Sequence, residues 1–343
     1  MNHLLRAIAV VGALEFSHGF TTSHHASSRK PSASFMVSSS DVARVCEAKN
    51  LVTSLVEDKR CFSTEAGAKA FREICSADCV FEDCYEPEPF VGKEVRGTST
   101  SLKFCWLIFV WLSLMLCLHT LLQAVSDHVL SKAMKMEGEG FVRIDRISDG
   151  SFACGYAWTW VNGNEEGLRG TTFVELNEAG EIKYMREIPE PLYKPGDATL
   201  ELLKAVTKNA VPKPPPAYES KTPQTANEVA KYLFCEVQGG DIDESMRLFS
   251  DDIIYRDFNY EEVLSGKAEV RKFIEDFSFP GIEFKPDRFD DGELSSCFTW
   301  DVCLDGQDAT IKGMSFYELD PETRLIRYVR GKWIECFYVV SSF

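Results

Sequence analysis

Hydrophobic and polar residues follow two kinds of pattern along this chain. Residues 40–58 ("SDVARVCEAKNLVTSLVED") and 64–75 ("TEAGAKAFREIC") carry apolar residues at the spacing of amphipathic helices. Shorter runs bounded by Asp, Gly and Asn turns predict strands at 79–85, 141–148, 151–161, 170–177 and 181–188. Helices followed by consecutive strands indicate an α+β domain with one curved antiparallel sheet.

The second half of the chain repeats this order of elements. The segment "SADCVFEDCYEPEPFVGKEV" matches "SDDIIYRDFNYEEVLSGKAEV" at an offset of 174 residues, so that Asp83 falls on Asp257. Further along, "DGSFACGYAWTW" matches "DGELSSCFTWDV" at an offset of 142 residues, so that Trp158 falls on Trp300. Self-similarity over this length predicts a tandem duplication of one domain.

The first copy contains a long apolar insertion. Because the offset falls from 174 to 142, this copy holds 32 residues that the second copy lacks, and residues 96–125 account for nearly all of them. Residues 104–125 have no Asp, Glu, Lys or Arg, and such a run can span a bilayer. Here, however, it would divide one helix of a compact domain. Both this insertion and a C-terminal tail, residues 331–343, lie at Arg-Gly pairs whose codons can contain an intron donor. We interpret both segments as translated intron sequence; a genuine transmembrane helix is the alternative.

Two further segments lie outside the repeats. Residues 1–40 combine a short apolar signal-like core with a Ser- and Thr-rich stretch that lacks acidic residues after position 15. This composition resembles bipartite plastid presequences, with Phe20 opening the transit part, and predicts a plastid location; a plain secretory signal is the alternative. Residues 192–222 are predicted to be a Pro-rich linker with one helix at 198–209.

Charge and cysteine content exclude several classes of function. The 343 residues include 37 basic and 53 acidic side chains, a formal net charge of −16, which disfavours nucleic acid and anionic lipid as partners. The 12 cysteines form no CxxC pair and no Cys/His array at zinc spacing, so free thiols in a reducing compartment are expected, and no metal. Phosphate-binding loops and nucleophile elbows are missing from the sequence, and no cofactor is predicted.

The segments around Asp83 and Asp257 resemble the SnoaL-like motif. Each has an acidic residue after the second helix, an aromatic residue and an Asp two apart on a strand, then Gly and Lys opening the third helix. Together with the order of elements, this is similar to the nuclear-transport-factor-2-like superfamily over residues 41–191 and 223–330. The resemblance implies two cone-shaped domains, each a curved antiparallel sheet wrapped around helices, with a ligand pocket at the open end. It also implies an intramolecular pseudo-dimer, or a homodimer.

Strand alternation identifies candidate pocket residues. Asp83 and Asp257 share strand faces with aromatic residues, so desolvation would raise the pKa of each towards the range of a general base. Arg186 or His128 would then polarise a substrate oxygen; the second copy has no His to match His128. A structural role stays open, in which Asp83 pairs with Arg186 and Asp257 with Arg330. The predicted pocket-lining residues are Tyr85, Tyr156, Trp158, Tyr184, Arg186, Tyr255, Phe298, Trp300, Tyr328 and Arg330.

Three functions agree with these residues. The first is binding of a small, largely apolar ligand in the cone pockets without catalysis. The second is a cofactor-free lyase, isomerase or hydrolase with a pocket Asp as base, since the resembled superfamily includes such enzymes. The third is an interaction scaffold with filled pockets. An open cavity with an unpaired Asp favours the enzyme, an open cavity with paired acids favours binding, and a filled cone favours the scaffold. A membrane is a partner only if residues 104–125 form a genuine span.

Overall fold

The computed structural model describes residues 47–92 and 125–335, except Tyr85, Pro87, Glu137, Lys213, Pro215, Asp305 and Gly306. The predicted presequence, almost all of the apolar insertion and most of the C-terminal tail therefore lie outside the described residues. Within the described ranges, every helix is too short or too polar to cross a membrane.

The first repeat, residues 47–189, contains three helices and six strands. They are α1 (Glu47–Thr53), which continues as a π-helical turn (Ser54–Asp58), α2 (Glu65–Ile74), β1 (Cys75–Asp83), β2 (Phe90–Val91), α3 (Val125–Met136), β3 (Phe141–Ile147), β4 (Ala153–Asn162), β5 (Glu165–Leu176) and β6 (Ile182–Pro189). Helix α2 begins after Thr64, whose hydroxyl accepts a hydrogen bond from the backbone N–H of Gly67 at 3.0 Å.

Helix α4 (Asp197–Val206) lies in the linker, and the second repeat, residues 226–335, follows. Its elements are α5 (Ala226–Lys231), which continues as a π-helical turn (Tyr232–Val237), α6 (Ile242–Arg247), β7 (Phe249–Asp257), β8 (Leu264–Ser265), α7 (Lys267–Phe277), β9 (Ile282–Phe289), β10 (Ser295–Leu304), β11 (Gln307–Leu319) and β12 (Ile326–Glu335). Strand β12 thus continues five residues into the segment predicted as an aberrant tail.

The two sheets have the same topology. Their strand orders are β2-β1-β6-β5-β4-β3 and β8-β7-β12-β11-β10-β9. The predicted α+β class with a curved sheet in each repeat is confirmed, but the sheets are not wholly antiparallel: β1 runs parallel to β6, and β7 runs parallel to β12. These strands are joined by a long crossover through a helix and a meander, so no tight hairpin forces them to run antiparallel.

Each sheet wraps around its own helices and encloses an apolar core. Trp158 and Trp300 occupy matching places in the two cores, and each indole N–H donates at 3.0 Å to a hydroxyl, of Thr172 and Ser315 respectively. The core of repeat 1 includes Val52, Phe71, Phe81, Val129, Tyr156, Trp158 and Met185. The core of repeat 2 includes Val229, Phe249, Val270, Phe298, Trp300 and Val329. We call these interiors cone 1 and cone 2.

The outer faces of the two sheets pack against each other. A third apolar cluster joins Cys84, Ala153, Phe173, Tyr184 and Ile188 of repeat 1 to Cys297, Met314 and Phe316 of repeat 2. This contact, called the inter-repeat face below, has the arrangement expected of an intramolecular pseudo-dimer.

The apolar insertion enters at the start of a helix. The backbone N–H of Val125 donates to Gly92 O at 3.1 Å, just as Val270 N–H donates to Gly266 O at 3.2 Å. Both glycines have a φ of +89°, which favours glycine at this turn. Val125 therefore stands where Val270 stands in repeat 2, and residues 93–124 replace the first turn of α7. The two ends of the insertion are adjacent, and the rest of α3 is intact.

Gly155 supplies a test of the inter-repeat face. A Cβ added there would overlap Cβ and Sγ of Cys297 in the other repeat. Because strand pairing holds both backbones, we expect Gly155→Ala to lower the free energy of unfolding by about 1–3 kcal/mol, the usual cost of overpacking. Equilibrium chemical denaturation measures this loss. Gly167→Ala is the matched control on β5, since the atom nearest to its added Cβ is a Trp160 carbon at 3.3 Å. Equal stabilities of the two variants would contradict the sheet contact.

Candidate functional site

A cluster of four ionisable side chains lies in cone 1 at the end of β1. The side chains of Asp83 and Glu187 are 8% and 3% exposed, those of His128 and Lys132 13% and 26%. Asp83 Oδ2 is 3.1 Å from His128 Nε2 and 3.5 Å from Lys132 Nζ. Lys132 also forms an ion pair with Glu187. We call these four residues the β1 cluster.

The backbone explains how these side chains meet. Strands β1 and β6 pair so that Asp83 lies beside Glu187. His128 and Lys132 are four residues apart on α3, which places them on the same side of the helix. One strand pair therefore supplies two carboxylates, and one helix face supplies the two cationic or hydrogen-bonding partners.

Aromatic rings surround His128. The ring of Phe90 stacks on the imidazole with centroids 3.9 Å apart, and the edge of Phe81 lies at 5.2 Å. Burial raises the pKa of Glu187 against the opposing charge of Lys132. Burial alone would lower the pKa of Lys132, but Glu187 and Asp83 together raise it. Lys132 is therefore held as a cation beside two acids in an apolar environment.

The Asp83–His128 pair can orient a proton-transfer group. An ionised Asp83 that accepts a hydrogen bond from Nε2–H fixes the imidazole ring and its tautomer. The neutral ring then presents Nδ1 as an acceptor, and within the described ranges no residue forms a hydrogen bond with that atom. Such a nitrogen can accept a proton from a bound molecule or, when protonated, donate a hydrogen bond to its oxygen.

Repeat 2 has aromatic residues where repeat 1 has the cluster. Phe273 packs on Tyr255 at 5.2 Å, as His128 packs on Phe81, and so takes the place of His128. Phe277, four residues further on, packs on Phe273 at 4.9 Å. Asp257 itself accepts a hydrogen bond from the backbone N–H of Asn259 at 2.8 Å, which stabilises the turn after β7. The chemistry of the two cones therefore differs.

The described part of cone 1 is tightly packed below the cluster. Its cavity has a volume of about 10 Å³, next to Cys61, Phe62, Tyr156 and Met185. That is room for about one water molecule, compared with the roughly 300–1,000 Å³ of ligand pockets. A second depression of about 430 Å³ is open to solvent on the outer side of α3, beside Leu130 and Met134. The expectation of a ligand-sized cavity is not met in this part of cone 1.

The structure distributes the sequence-predicted site residues over three places. Asp83, Tyr156 and Trp158 lie in cone 1. Tyr255, Asp257, Phe298 and Trp300 lie in cone 2 or at its matching strand end. Tyr184, Arg186, Tyr328 and Arg330 lie at the inter-repeat face, not in a pocket. Tyr85 lies outside the described residues. The four misplaced residues were assigned to the wrong side of their strands, because alternation shows which residues share a face but not which face is inside.

Arg186 belongs to a network at the inter-repeat face. Its Nε donates to Glu82 Oε2 at 2.6 Å, and its Nη1 donates to the backbone oxygen of Trp300 at 3.3 Å. The hydroxyl of Tyr184 donates to the same Glu82 oxygen at 2.7 Å. The predicted pairing of Asp83 with Arg186 is therefore wrong: Asp83 pairs with His128 and Lys132.

Two members of the β1 cluster were not predicted from the sequence. Lys132 had a signal, because it lies one helical turn after His128. Glu187 had none, because its place beside Asp83 depends on the parallel register of β1 and β6. In the described ranges, no group of three His, Cys, Asp or Glu residues is arranged to hold a metal ion, and the eight described cysteines are free.

Comparison with known proteins identifies the second repeat. Residues 229–328 match the family model of the SnoaL-like domain. The chain has no match among the curated proteins.

Several solved structures resemble about one third of the chain. An NTF2-like protein of unknown function from Cytophaga hutchinsonii is 10% identical, with 33% of this chain and 94% of that chain covered and a TM-score of 0.27. An LEH-like epoxide hydrolase of M. tuberculosis is 15% identical, with coverages of 33% and 86% and a TM-score of 0.27. The epoxide hydrolase/cyclase-like enzyme SalBIII of pyran ring formation in the polyether salinomycin is 18% identical, with coverages of 31% and 88% and a TM-score of 0.26. Likenesses at this level do not bear on activity.

Proposed function

Because residues 229–328 form a SnoaL-like domain and residues 47–189 repeat its strand order, the chain is a tandem SnoaL-like protein, and we propose that its two halves have different functions. Repeat 1 binds a small, largely apolar molecule at the β1 cluster, and repeat 2 is a structural half. The observation that carries this proposal is the buried Asp83–His128 pair of repeat 1, at a place where repeat 2 has Phe273.

The cost of burying charge supports a functional role for the cluster. Ionised groups that leave water lose several kcal/mol each unless they are paired well. Repeat 2 shows that the same fold packs a phenylalanine, Phe273, at the place of His128. The cone does not need an imidazole or an ammonium group there for stability. Buried titratable groups that a fold does not require are candidates for binding or catalysis.

The surroundings of the cluster define the class of ligand. Phe81 and Phe90 flank the imidazole, so a flat or aliphatic body is favoured beside it. Lys132 is 26% exposed and His128 13%, so the cluster reaches solvent on one side while the cone below it is packed. A ligand would therefore meet the cluster from its exposed side, with one oxygen directed at His128 or Lys132.

The pair also suits proton transfer, which makes cofactor-free catalysis the second candidate. In that case His128 is the acid or base and Asp83 the orienting carboxylate. The Asp83–His128 distance of 3.1 Å favours this candidate. The small cavity of about 10 Å³ and the pairing of Asp83 favour binding without turnover. In both cases the ligand contacts the same residues of repeat 1.

Metabolites that co-purify with the full chain test the proposal. We expect mass spectrometry to find a small molecule bound to the wild-type protein and to Asp257→Asn, but depleted about tenfold or more from Asp83→Asn and His128→Phe, because a charge-assisted hydrogen bond is lost. Asp257→Asn is the matched control, since it makes the same change at the equivalent place in repeat 2. Equal occupancy in all four proteins, or loss only from Asp257→Asn, would contradict the assignment to repeat 1.

Deuterium exchange separates binding from catalysis. The co-purified molecule, returned to the protein in D₂O, gains mass only if a group such as His128 removes and returns one of its protons. Exchange with the wild-type protein but not with His128→Phe supports the enzyme; retention of the molecule without exchange supports binding alone.

A further inference from the structure

The inter-repeat face is organised like the interface of a two-fold symmetric dimer. The carboxylate of Asp149 accepts a hydrogen bond from the backbone N–H of Leu294 at 3.0 Å. The carboxylate of Asp291 accepts one from the backbone N–H of Phe152, also at 3.0 Å. Asp149 and Asp291 are equivalent residues at the offset of 142, as are Phe152 and Leu294. The same contact is therefore made twice, which defines an isologous interface.

A second pair of contacts follows the same symmetry. The guanidinium of Arg146 lies 3.8 Å from the ring centroid of Tyr328, and that of Arg288 lies 3.9 Å from the ring centroid of Tyr184. Arg146 and Arg288 are equivalent, and so are the two tyrosines. The two-fold axis of this face must pass between such pairs, at a place where a residue meets its own equivalent.

Ser148 and Asp290 meet at that place. Each is held in the same way, since Ser148 N–H donates to Gly155 O at 2.8 Å and Asp290 N–H donates to Cys297 O at 3.1 Å. The hydroxyl of Ser148 donates to Asp290 Oδ2 at 2.5 Å. The two residues are 0% and 2% exposed. The symmetry therefore breaks at its axis, where equivalent positions hold a donor and an acceptor.

The two members of this pair are not interchangeable with copies of themselves. Besides the Ser148 hydroxyl, the Asp290 carboxylate accepts from the Ser296 hydroxyl at 2.6 Å and from the backbone N–H of Cys297 at 2.8 Å. Two aspartates would place two carboxylates in hydrogen-bonding distance in a dry interface, where both cannot ionise. Cys154 stands in repeat 1 where Ser296 stands in repeat 2, so repeat 1 lacks the second hydroxyl for such a carboxylate.

A separate ion pair across the face has the same consequence. Lys312 of repeat 2 donates to Glu82 of repeat 1 at 2.7 Å. The residue of repeat 2 at the place of Glu82 is Arg256, by the offset of 174. If a second repeat 2 replaced repeat 1, Arg256 would approach Lys312, and like charges at this distance repel.

We propose that the Ser148–Asp290 pair makes the inter-repeat face selective, so that the outer face of the repeat 2 sheet accepts repeat 1 and rejects a second repeat 2. The chain then closes on itself through unlike halves and does not assemble through like ones. Unfavourable contacts against the wrong partner give specificity in the same way at other interfaces. This inference does not depend on the proposed ligand site, because no residue of the β1 cluster takes part in it.

Exchanging the pair in the full chain tests the proposal. We expect Ser148→Asp to lower the melting temperature by about 10 °C or more near pH 8, because two buried carboxylates then face each other. Near pH 5 part of this loss should return, since one carboxyl can protonate; the thiols of Cys154 and Cys297 and the carboxylates of Asp149 and Asp291 also lie beside the pair. Ser148→Asp combined with Asp290→Ser restores one acid and one hydroxyl, and should regain at least half of the loss at about pH 8.

Differential scanning calorimetry provides the measurement, with Ser148→Ala as the control for loss of a hydroxyl alone. A Ser148→Asp protein as stable as the wild type near pH 8, or a double variant no better than the single one, would overturn the proposal. If Ser148→Asp does not fold, the double variant decides: a folded double variant supports the proposal, and an unfolded one overturns it.

Discussion

Replacing Arg186 by methionine is expected to lower the free energy of unfolding by about 3–5 kcal/mol, because it removes one partner of a buried ion pair. The residue is 1% exposed. Its guanidinium contacts Glu82 at 2.6 Å and Asp301 at 3.3 Å, and it donates to the backbone oxygen of Trp300. Most of the loss should come from Glu82, whose side chain is 17% exposed, since that of Asp301 is 43% exposed and partly screened by water.

The loss should depend on pH. Burial opposes the charge of Glu82, but Arg186, Lys312 and the Tyr184 hydroxyl outweigh it and hold the pKa at about 2. A carboxyl whose pKa is lowered on folding contributes stability above its ordinary pKa of 4.5 and loses that contribution as the pH falls towards 2. The difference between wild type and Arg186→Met should therefore be largest near neutral pH and shrink below about pH 4.

Arg330→Met is the matched control, at the equivalent place in repeat 2. Arg330 donates to Gly170 O at 2.8 Å and lies 4.2 Å from the ring centroid of Phe258. No described carboxylate forms an ion pair with it, and burial lowers its pKa to about 10. Its loss should cost about 1–2 kcal/mol, the price of one unpaired carbonyl. Urea denaturation followed by tryptophan fluorescence compares the variants. Equal losses would show that Arg186 owes nothing to its carboxylates.

The order of elements in each repeat could be predicted from the sequence, but the orientation of some strands could not. On β6, seven of the eight residues are buried, because one face covers cone 1 and the other meets repeat 2. Alternation of polar and apolar residues then disappears as a signal, so Tyr184 and Arg186 could be paired with each other but not placed on a side. Only the contact between the two repeats decides that they look outward.

The candidate site was predictable in part. Asp83 follows from the repeated motif, and the lack of a second His was visible in the sequence. At the offset of 142, however, His128 aligns with Val270, and its true counterpart stays hidden. The structure aligns Val125 with Val270 through their matching hydrogen bonds to glycine, which brings His128 onto Phe273. The helical register after a long insertion depends on tertiary contacts, so spacing alone cannot give it.

The contrast between the repeats explains how one chain can keep both stability and chemistry. Cone 2 is packed with aromatic rings, as where Phe298 meets Phe234 at 4.7 Å and Phe289 at 5.3 Å. Such contacts stabilise a domain without adding charge. A duplicated fold with one apolar half can tolerate a buried charged cluster in the other half, because the inter-repeat face couples their stabilities.

The free energy of unfolding of the wild-type protein is expected to fall as the pH rises from about 4 to about 7, and Asp290→Asn should remove much of this fall. Asp290 is 2% exposed. Burial raises its pKa from 3.8 to about 7, against the hydrogen bonds from Ser148, Ser296 and two backbone N–H groups. A carboxyl whose pKa is raised on folding contributes stability that is complete below 3.8 and lost as the pH rises through 7. A shift of this size corresponds to about 4 kcal/mol as an upper value.

Urea denaturation of both proteins between about pH 4 and about pH 8 measures this contribution as the change in their difference, which isolates Asp290 because burial also raises the pKa of Glu187 in both. Asp320→Asn is the control: hydrogen bonds from Thr323 lower the pKa of Asp320, so its contribution should be constant above about pH 5. Parallel profiles for wild type and Asp290→Asn would mean that the carboxyl at the two-fold axis ionises as easily in the folded chain as in the unfolded one. The axis would then be wet, and the discrimination between unlike and like halves would lose its physical basis.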